Sequence, residues 1–526
     1  MYIYQIRAEE LPGQRTTATR IRLLIMQHKS VPAVTKTTRV DPTSCTCSGR
    51  KLGPAPLLLP VWLSLVLVLL GGSCRGSDSK MLCDADEKPL LLSPLIAAGQ
   101  THLAQEKSRV RCLSGSDVDS YAGFISVDKP VCDSHLFFWF FPAQENTEKA
   151  PVLLWLNGGP DRSSLYGAMF EHGPLQLTEP LSDTVRRRNV TWVKYFSMLY
   201  VDNPLGAGFS YTNNNCYSST LNETSANLYS FLQQFFLLFS QFSANDFYIG
   251  GQSYAGKYVP ALGYYIHHQM DSSDKPRMRL KGFYIGSGFC DPETMFPEYP
   301  EMLYNVGIYT DYTRRQHKQI IMEGWSKPHH NPFHPEERDF WRIMTYYFKE
   351  DPAHKVVFVS SVYDQRRDFT EDGHLDKKLY HFLSIPSVKS ALHTGGLLAR
   401  EIPHISRFHH LEAVRGVRQE MAFLMDRYKV LHYTGNMDII INVRMTEAFL
   451  MATPWRGQAA YNKSQRHPWM YNARLAGYVT QLYNFTRVVI RNAGHDAPAD
   501  QPDWTLAMMQ RFIHDQPFES SARAGL

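Results

Sequence analysis

Along this chain, short apolar runs stop again and again in loops rich in glycine. The runs are "APVLLWLNGGP" (150–160), "SMLYVDNPLGAGFSY" (197–211), "DFYIGG" (246–251), "LKGFYIGSGFCDP" (280–292), "YKVLHYTGNMDIII" (428–441) and "TRVVIRNAGHDAPADQP" (486–502). An apolar run of this length bounded by turn residues reads as a strand buried on both faces. Between the runs lie amphipathic segments such as 222–242, whose spacing predicts a helix. Strands alternating with helices, with glycine at the strand ends, predict a largely parallel α/β sheet flanked by helices. "YAGFISV" (121–127) and "HLFFWFFP" (135–142) read as adjacent antiparallel strands at its start, and "WTLAMMQRFIHD" (504–515) as a closing helix.

The chain has 526 residues, 44% apolar and 20% charged, which is a globular composition. A formal charge of +5 gives no footing for a nucleic-acid partner, and Arg186-Arg187-Arg188 reads as a solvated loop. Residues 80–292 form the first part of the α/β core and 416–526 the second. From 293 to 415 long apolar runs are missing and His, Arg, Tyr and Pro abound, so this segment reads as a mostly helical inserted cap. Its His329, His330 and His334 have no framing acidic ligands and read as solvated; no metal and no cofactor is expected.

Residues 1–79 read as a leader. "LLLPVWLSLVLVLLGG" (57–72) follows Arg50 and Lys51, is short for a membrane span and resembles a signal h-region ending near 73–79. The residues before it read as an upstream extension, with a signal-anchor as the alternative. No stable membrane span is expected once the signal is removed. Four sequons, at Asn189, Asn222, Asn462 and Asn484, fit glycosylation on a secretory route. Beyond the leader stand Cys83, Cys112, Cys132, Cys216 and Cys290, an odd set that predicts up to two disulfides and one free thiol with the pairing open.

In "DFYIGGQSYAGKYVPALGYY" (246–265), Ser253 stands on a glycine-rich bend between a strand and a helix. Small neighbours let such a bend tighten and lift the hydroxyl clear of the sheet, as in a nucleophile elbow. The usual second glycine is displaced by one position, from Ala255 to Gly256. A serine hydroxyl needs a base, and in this topology an acid and then a histidine follow from later strands. Asp438 and His495 each come just past a strand in that order, and so complete a candidate triad. The amide of Tyr254 and the loop "WLNGGP" (155–160) are the candidate oxyanion donors.

Taken together, "LLWLNGGPDRSSLYGAMFEHGP", "LYVDNPLGAGFSY", "GGQSYAGKYVPAL", "YIGSGFCDPE", "YTGNMD" and "AGHDAPADQP" resemble the serine carboxypeptidases of the α/β-hydrolase superfamily over about residues 90–520. "SYAGF…LFFWFFPAQ" and "APVLLWL" look most like the vitellogenic-like branch. The resemblance implies an α/β-hydrolase fold with an inserted cap and release of single residues from peptide C-termini, usually best in acid. As family-level expectations it also implies secretion or delivery to lysosomes, and a homodimer. It implies that Ser253, Asp438 and His495 are the triad and that Gly159 and Tyr254 are the oxyanion donors. Asn157, Gly158, Glu171 and Gln252 would hold the substrate's terminal carboxylate.

Two departures matter. Gln252 stands where the family usually has Glu, so an obligate amide donor replaces one member of a proton-sharing carboxyl pair. Asp161 and Arg162 stand where the family has glycine and then a small residue or Cys. A carboxylate about 6 Å from the oxyanion would cost on the order of 3 kcal/mol at an effective dielectric near 20. The alternative to an active enzyme is therefore a weakened or inactive relative acting as a binding scaffold. Arg162 is expected to offset Asp161, or the Asp161 side chain to point away.

Overall fold

In the computed structural model, residues 88–127, 132–179, 182–213, 215–269, 278–326, 361–368, 374–399, 412 and 414–518 are described. The predicted leader and the His329, His330 and His334 cluster lie outside them.

Thirteen strands are present among the described residues: β1 (Tyr121–Ser126), β2 (Ser134–Phe141), β3 (Val152–Leu156), β4 (Leu175–Leu177), β5 (Val185–Arg187), β6 (Ser197–Val201), β7 (Tyr211–Thr212), β8 (Phe247–Gln252), β9 (Leu280–Gly286), β10 (Lys429–Gly435), β11 (His467–Tyr471), β12 (Arg474–Leu482) and β13 (Phe485–Ile490). Eleven share one sheet in the order β1-β2-β6-β3-β8-β9-β10-β13-β12-β11, with β7 beside β2; β4 and β5 make a separate hairpin. The middle, from β6 through β3, β8, β9 and β10 to β13, is parallel. Both flanks are antiparallel. The parallel centre and the antiparallel start are as the sequence predicts.

The central strands are apolar throughout because both faces are covered. Along β3, Val152, Leu154 and Leu156 enter one core while Leu153 and Trp155 enter the other. β9 does the same, with Phe283 and Ile285 on the first face and Tyr284 on the second. The first core is closed by the helices Leu221–Leu238 and Ala255–Gln269, the second by Pro502–Ile513. The helix Leu221–Leu238 begins where Thr220 accepts from Glu223 N at 3.1 Å, while the Glu223 carboxylate accepts from Ser219 N at 2.8 Å. This is close to a capping box shifted by one residue. Phe235 then packs edge-on to Phe138 and Phe140 of β2.

β11 and β12 were not legible as strands. Only five of their fourteen residues are buried, and they include His467, Arg474 and Gln481, so no apolar run marks them. Within 293–415 the regular elements described are helical, including Tyr299–Asn305, Asp311–Ser326, His374–Ser384 and Pro386–Ala391. Cys132 and Cys216 form a disulfide, Cys112 is disulfide-bonded, and Cys290 is a buried free thiol. Among the described residues no helix is long and apolar enough to cross a membrane.

Candidate active site

Ser253 follows β8 and precedes the helix Ala255–Gln269, and its φ is +62°. A non-glycine residue in the left-handed region is held there by its surroundings. Its amide donates to Gly286 O at 3.1 Å, and its carbonyl accepts from Phe289 N at 2.8 Å and Gly256 N at 2.9 Å. The flanking glycines are dictated by contact. A Cβ on Gly251 would stand 2.4 Å from Leu156 O, and one on Gly256 would stand 2.7 Å from Phe289 N. Gly256 therefore meets a packing demand one position beyond the usual motif, which explains why Ala255 is tolerated.

Asp438 lies just past β10 and His495 just past β13, neighbouring parallel strands. His495 Nδ1 and Asp438 Oδ2 are 2.8 Å apart, both residues are buried, and Asp438 Oδ1 accepts from Ile441 N at 3.0 Å. Burial pulls the His495 pKa down, but the Asp438 carboxylate outweighs it and the net direction is upward. Ser253 and His495 line the same cavity of about 210 Å³. Ser253 Oγ makes no hydrogen bond among the described residues; contacts of this type tighten when substrate binds.

The loop carrying Gly158 and Gly159 sits over this bend. A Cβ on Gly158 would be 2.4 Å from Tyr254 N and 2.8 Å from Ser253 Cβ. Gly159 has φ +119°, and the loop is pinned by Tyr258 Oη donating to Pro160 O at 2.8 Å. Asp202, at the end of β6, braces its far side: it accepts from Ser163 Oγ at 2.6 Å, Ser164 N at 2.9 Å and Phe209 N at 2.8 Å. The positive φ falls on Gly159, and Asp161 is not among the residues with positive φ. Asp161 therefore does not strain the loop. Its carboxylate does fold back over Gly159, 3.1 Å from where a Cβ would stand. Burial raises its pKa to about 6.

The Arg162 charge partly offsets the burial of Asp161, but its hydrogen bonds go elsewhere. Its Nε donates to Asp376 Oδ1 at 2.9 Å and its Nη2 to Asp376 Oδ2, and the guanidinium lies 4.0 Å from the Tyr166 ring centre. Among the expected carboxylate-holding residues, Asn157 Nδ2 donates to Glu171 Oε1 at 3.2 Å. Burial, with the Asp496 carboxylate nearby, raises the Glu171 pKa well above its ordinary value. Gln252 Nε2 does not face an empty subsite; it donates to Asp496 Oδ1 at 2.6 Å, and Tyr166 Oη donates to Asp496 Oδ2 at 2.7 Å. Asn157, Gly158, Gly159, Gln252, Ser253, Tyr254 and His495 share the cavity wall; Glu171 stands behind Asn157, and Asp438 behind His495. All four sequon asparagines, Asn189, Asn222, Asn462 and Asn484, are exposed.

Sequence reasoning missed Asp202, Asp376, Asp496 and the stretch 361–368. Tyr363 O accepts from His495 N at 2.7 Å, Gln365 N donates to Met437 O at 3.0 Å, and Val362 O accepts from Ile440 N at 2.9 Å. That stretch thus threads between the loops bearing Asp438 and His495. No local pattern in "SSVYDQRRD" signals this, because its partners are some 70 to 130 residues away.

A profile of the serine carboxypeptidase family matches residues 113–515. The human protein named "Probable serine carboxypeptidase CPVL" is 35% identical over 474 residues, covering 87% of this chain and 98% of that protein. The Aedes aegypti protein named "Vitellogenic carboxypeptidase" is 36% identical, covering 84% of this chain and 93% of that protein. The crystal structure of Kex1(delta)p, a prohormone-processing carboxypeptidase from Saccharomyces cerevisiae, superposes with a TM-score of 0.67 at 18% identity, covering 78% of this chain and 96% of that one, and so shares its fold. With the family profile spanning most of the chain and these relatives aligned nearly end to end, the chain belongs to the serine carboxypeptidase family.

Proposed function

We propose that this protein releases single residues from peptide C-termini through an acyl-enzyme on Ser253. The observation that carries the reading is the buried His495–Asp438 pair, at 2.8 Å, opening on the cavity that also holds the left-handed Ser253. Ser253 Oγ attacks the carbonyl carbon of the last peptide bond while His495 takes its proton. Asp438 orients the imidazole and stabilises the imidazolium. The amides of Gly159 and Tyr254 receive the oxyanion. Collapse of the tetrahedral species breaks the C–N bond, and His495 returns the proton to the departing amine. Water, deprotonated by His495, then hydrolyses the ester and restores Ser253. Asn157, Gly158, Glu171 and Gln252 shape the subsite for the departing residue.

The enzyme reading is favoured over the binding scaffold by family membership and by a loop in which Asp161 needs no strained backbone. Exposed Asn189, Asn222, Asn462 and Asn484 as glycan sites, with the Cys132–Cys216 disulfide, support a secretory route to the cell exterior or the lysosome. Homodimerisation is the remaining family expectation, and sedimentation of the glycoprotein reads it.

The test is release of the C-terminal residue from an N-blocked dipeptide by the glycosylated protein between about pH 4 and 8, with Ser253→Ala as control. Release that disappears in the control is expected. A folded wild-type protein that releases nothing at any pH sinks the reading.

A further inference from the structure

The two side-chain amides that the family resemblance assigns to the substrate's terminal carboxylate are engaged here with carboxyl groups of the chain itself, one of them Glu171 of the same set. The Asn157 amide points to Glu171 and the Gln252 amide to Asp496, at 3.2 and 2.6 Å. Gln252 Oε1 is left buried with no partner among the described residues, and an acceptor so placed repels a carboxylate. Asp161, Asp376 and Asp496 add negative groups around the same cavity. An incoming carboxylate therefore needs a cation.

Among the described residues lining the cavity, Arg162 is the only lysine or arginine. It is fixed on three sides: Asp376, from the first turn of the helix His374–Ser384, takes Nε and Nη2, and the rings of Tyr166 and Tyr363 lie 4.0 and 5.8 Å from the guanidinium carbon. Nη1 makes no hydrogen bond among the described residues, and it is not among the side-chain atoms sealed from solvent without a partner. A guanidinium has five N–H donors, so one bound carboxylate leaves a charged donor edge for a second.

We infer that Arg162, held in place by Asp376, binds a carboxylate of the leaving residue. This rests on the reading of the cavity as a carboxypeptidase site. It assigns a specificity role to a residue that stands where the family has a small one, and it explains why a bulky cation at that position is paired with an acid from the inserted segment.

The test is calorimetric binding to the Ser253→Ala protein, which cannot turn its ligand over. The ligands are an N-blocked dipeptide acid and its C-terminal amide. The acid is expected to bind at least tenfold more tightly than the amide. Adding Arg162→Gln abolishes that preference, and Arg162→Lys keeps part of it. Amide affinity serves as the internal control, because a collapsed cavity would weaken both ligands together. A second pair of ligands, ending in Glu or Gln, separates the sources. Loss of preference for all acids assigns the α-carboxylate, and loss confined to the Glu ligand assigns the side-chain carboxylate. An acid preference that survives Arg162→Gln together with an unchanged preference for the Glu over the Gln ligand, or an acid preference absent in Ser253→Ala itself, overturns the inference. Ester hydrolysis by the wild-type enzyme, measured separately, tells failure of the triad reading from failure of this one.

Discussion

Gln252 donates from Nε2 to Asp496 Oδ1 at 2.6 Å, so the residue before the candidate nucleophile is tied to the residue after the candidate base. The amide does not wait for substrate; it fixes a carboxylate beside His495. That carboxylate is one of the groups that raise the His495 pKa, after the larger contributions of burial, which lowers it, and Asp438, which raises it. The sign of the consequence is fixed. A raised pKa keeps the imidazole protonated to higher pH, and only the neutral form accepts the Ser253 proton. The acid limb of kcat/KM for an uncharged ester substrate is therefore expected above pH 6.5, the ordinary value of histidine. Asp496→Asn should shift that limb to lower pH. A limb that does not move would show that Asp496 is electrically remote from the base.

The same pair predicts the effect of restoring the family's usual residue. Gln252→Glu would place two carboxyl groups at contact distance, and one of them must keep a proton. Wild type has no such requirement. The variant is expected to lose thermal stability progressively as pH rises above neutral, while wild type does not show the same loss. Parallel melting curves of the two proteins across that range decide the matter.

Asp161 affects stability and rate together. Its pKa is raised by burial from 3.8 to about 6. Between these values the folded state binds the proton more tightly than the unfolded chain. The cost of ionising it is absent below about pH 3.8, grows through the interval and is complete above about pH 6. At about 1.4 kcal/mol per unit the full cost is about 3 kcal/mol. Asp161→Asn should raise the melting temperature by several degrees at pH 7.5 and by little at pH 4. Because the carboxylate folds over Gly159, the same substitution should raise kcat at pH 7.5 by roughly tenfold. No gain in kcat would mean that the carboxylate is screened from the oxyanion.

Asp438 is fully buried, with one oxygen on His495 and the other on the Ile441 amide. Asp438→Asn keeps the shape but offers an amide where the imidazole needs an acceptor. The expected loss is about 10⁴-fold in kcat with KM little changed. A loss below about tenfold would remove Asp438 from the triad, because orientation of the base is worth far more than that.

The sequence made the candidate triad legible because each member follows a largely apolar strand that runs into a glycine-bearing bend or loop, and such strands are local features. Ser253, Asp438 and His495 could be found one at a time. The residues that tune them could not. Asp496 adjoins His495 in the chain, yet only the sheet order brings it to Gln252, 244 positions away. Asp376 reaches Arg162 across 214 positions from a segment with no apolar pattern. Strands β11 and β12 escaped for a related reason: only five of their fourteen residues are buried, so burial left no apolar run in the sequence. Arg162 was expected to offset Asp161 unless the Asp161 side chain pointed away; its charge does act on Asp161, but its hydrogen bonds go to Asp376, which offers a bidentate fit.

Gly158 gives the sharpest steric prediction. Its Cα faces the bend so closely that a methyl group would stand 2.4 Å from Tyr254 N, 2.8 Å from Gln252 O and 2.8 Å from Ser253 Cβ. Two of these are backbone atoms of the elbow and cannot rotate away. Gly158→Ala must therefore push the loop off the elbow, and with it separate the amides of Gly159 and Tyr254 proposed as the oxyanion donors. Loss of one such donor costs about 10²–10³ in kcat. The expected result is a loss of at least that size in ester and peptide hydrolysis alike. No atom of the His495–Asp438 pair is among the nearest contacts of a Cβ on Gly158, so the pair should keep its pH dependence in whatever activity remains. A Gly158→Ala enzyme with near-normal kcat would show that the loop gives way without disturbing the donors, and the oxyanion assignment to Gly159 and Tyr254 would fall with it.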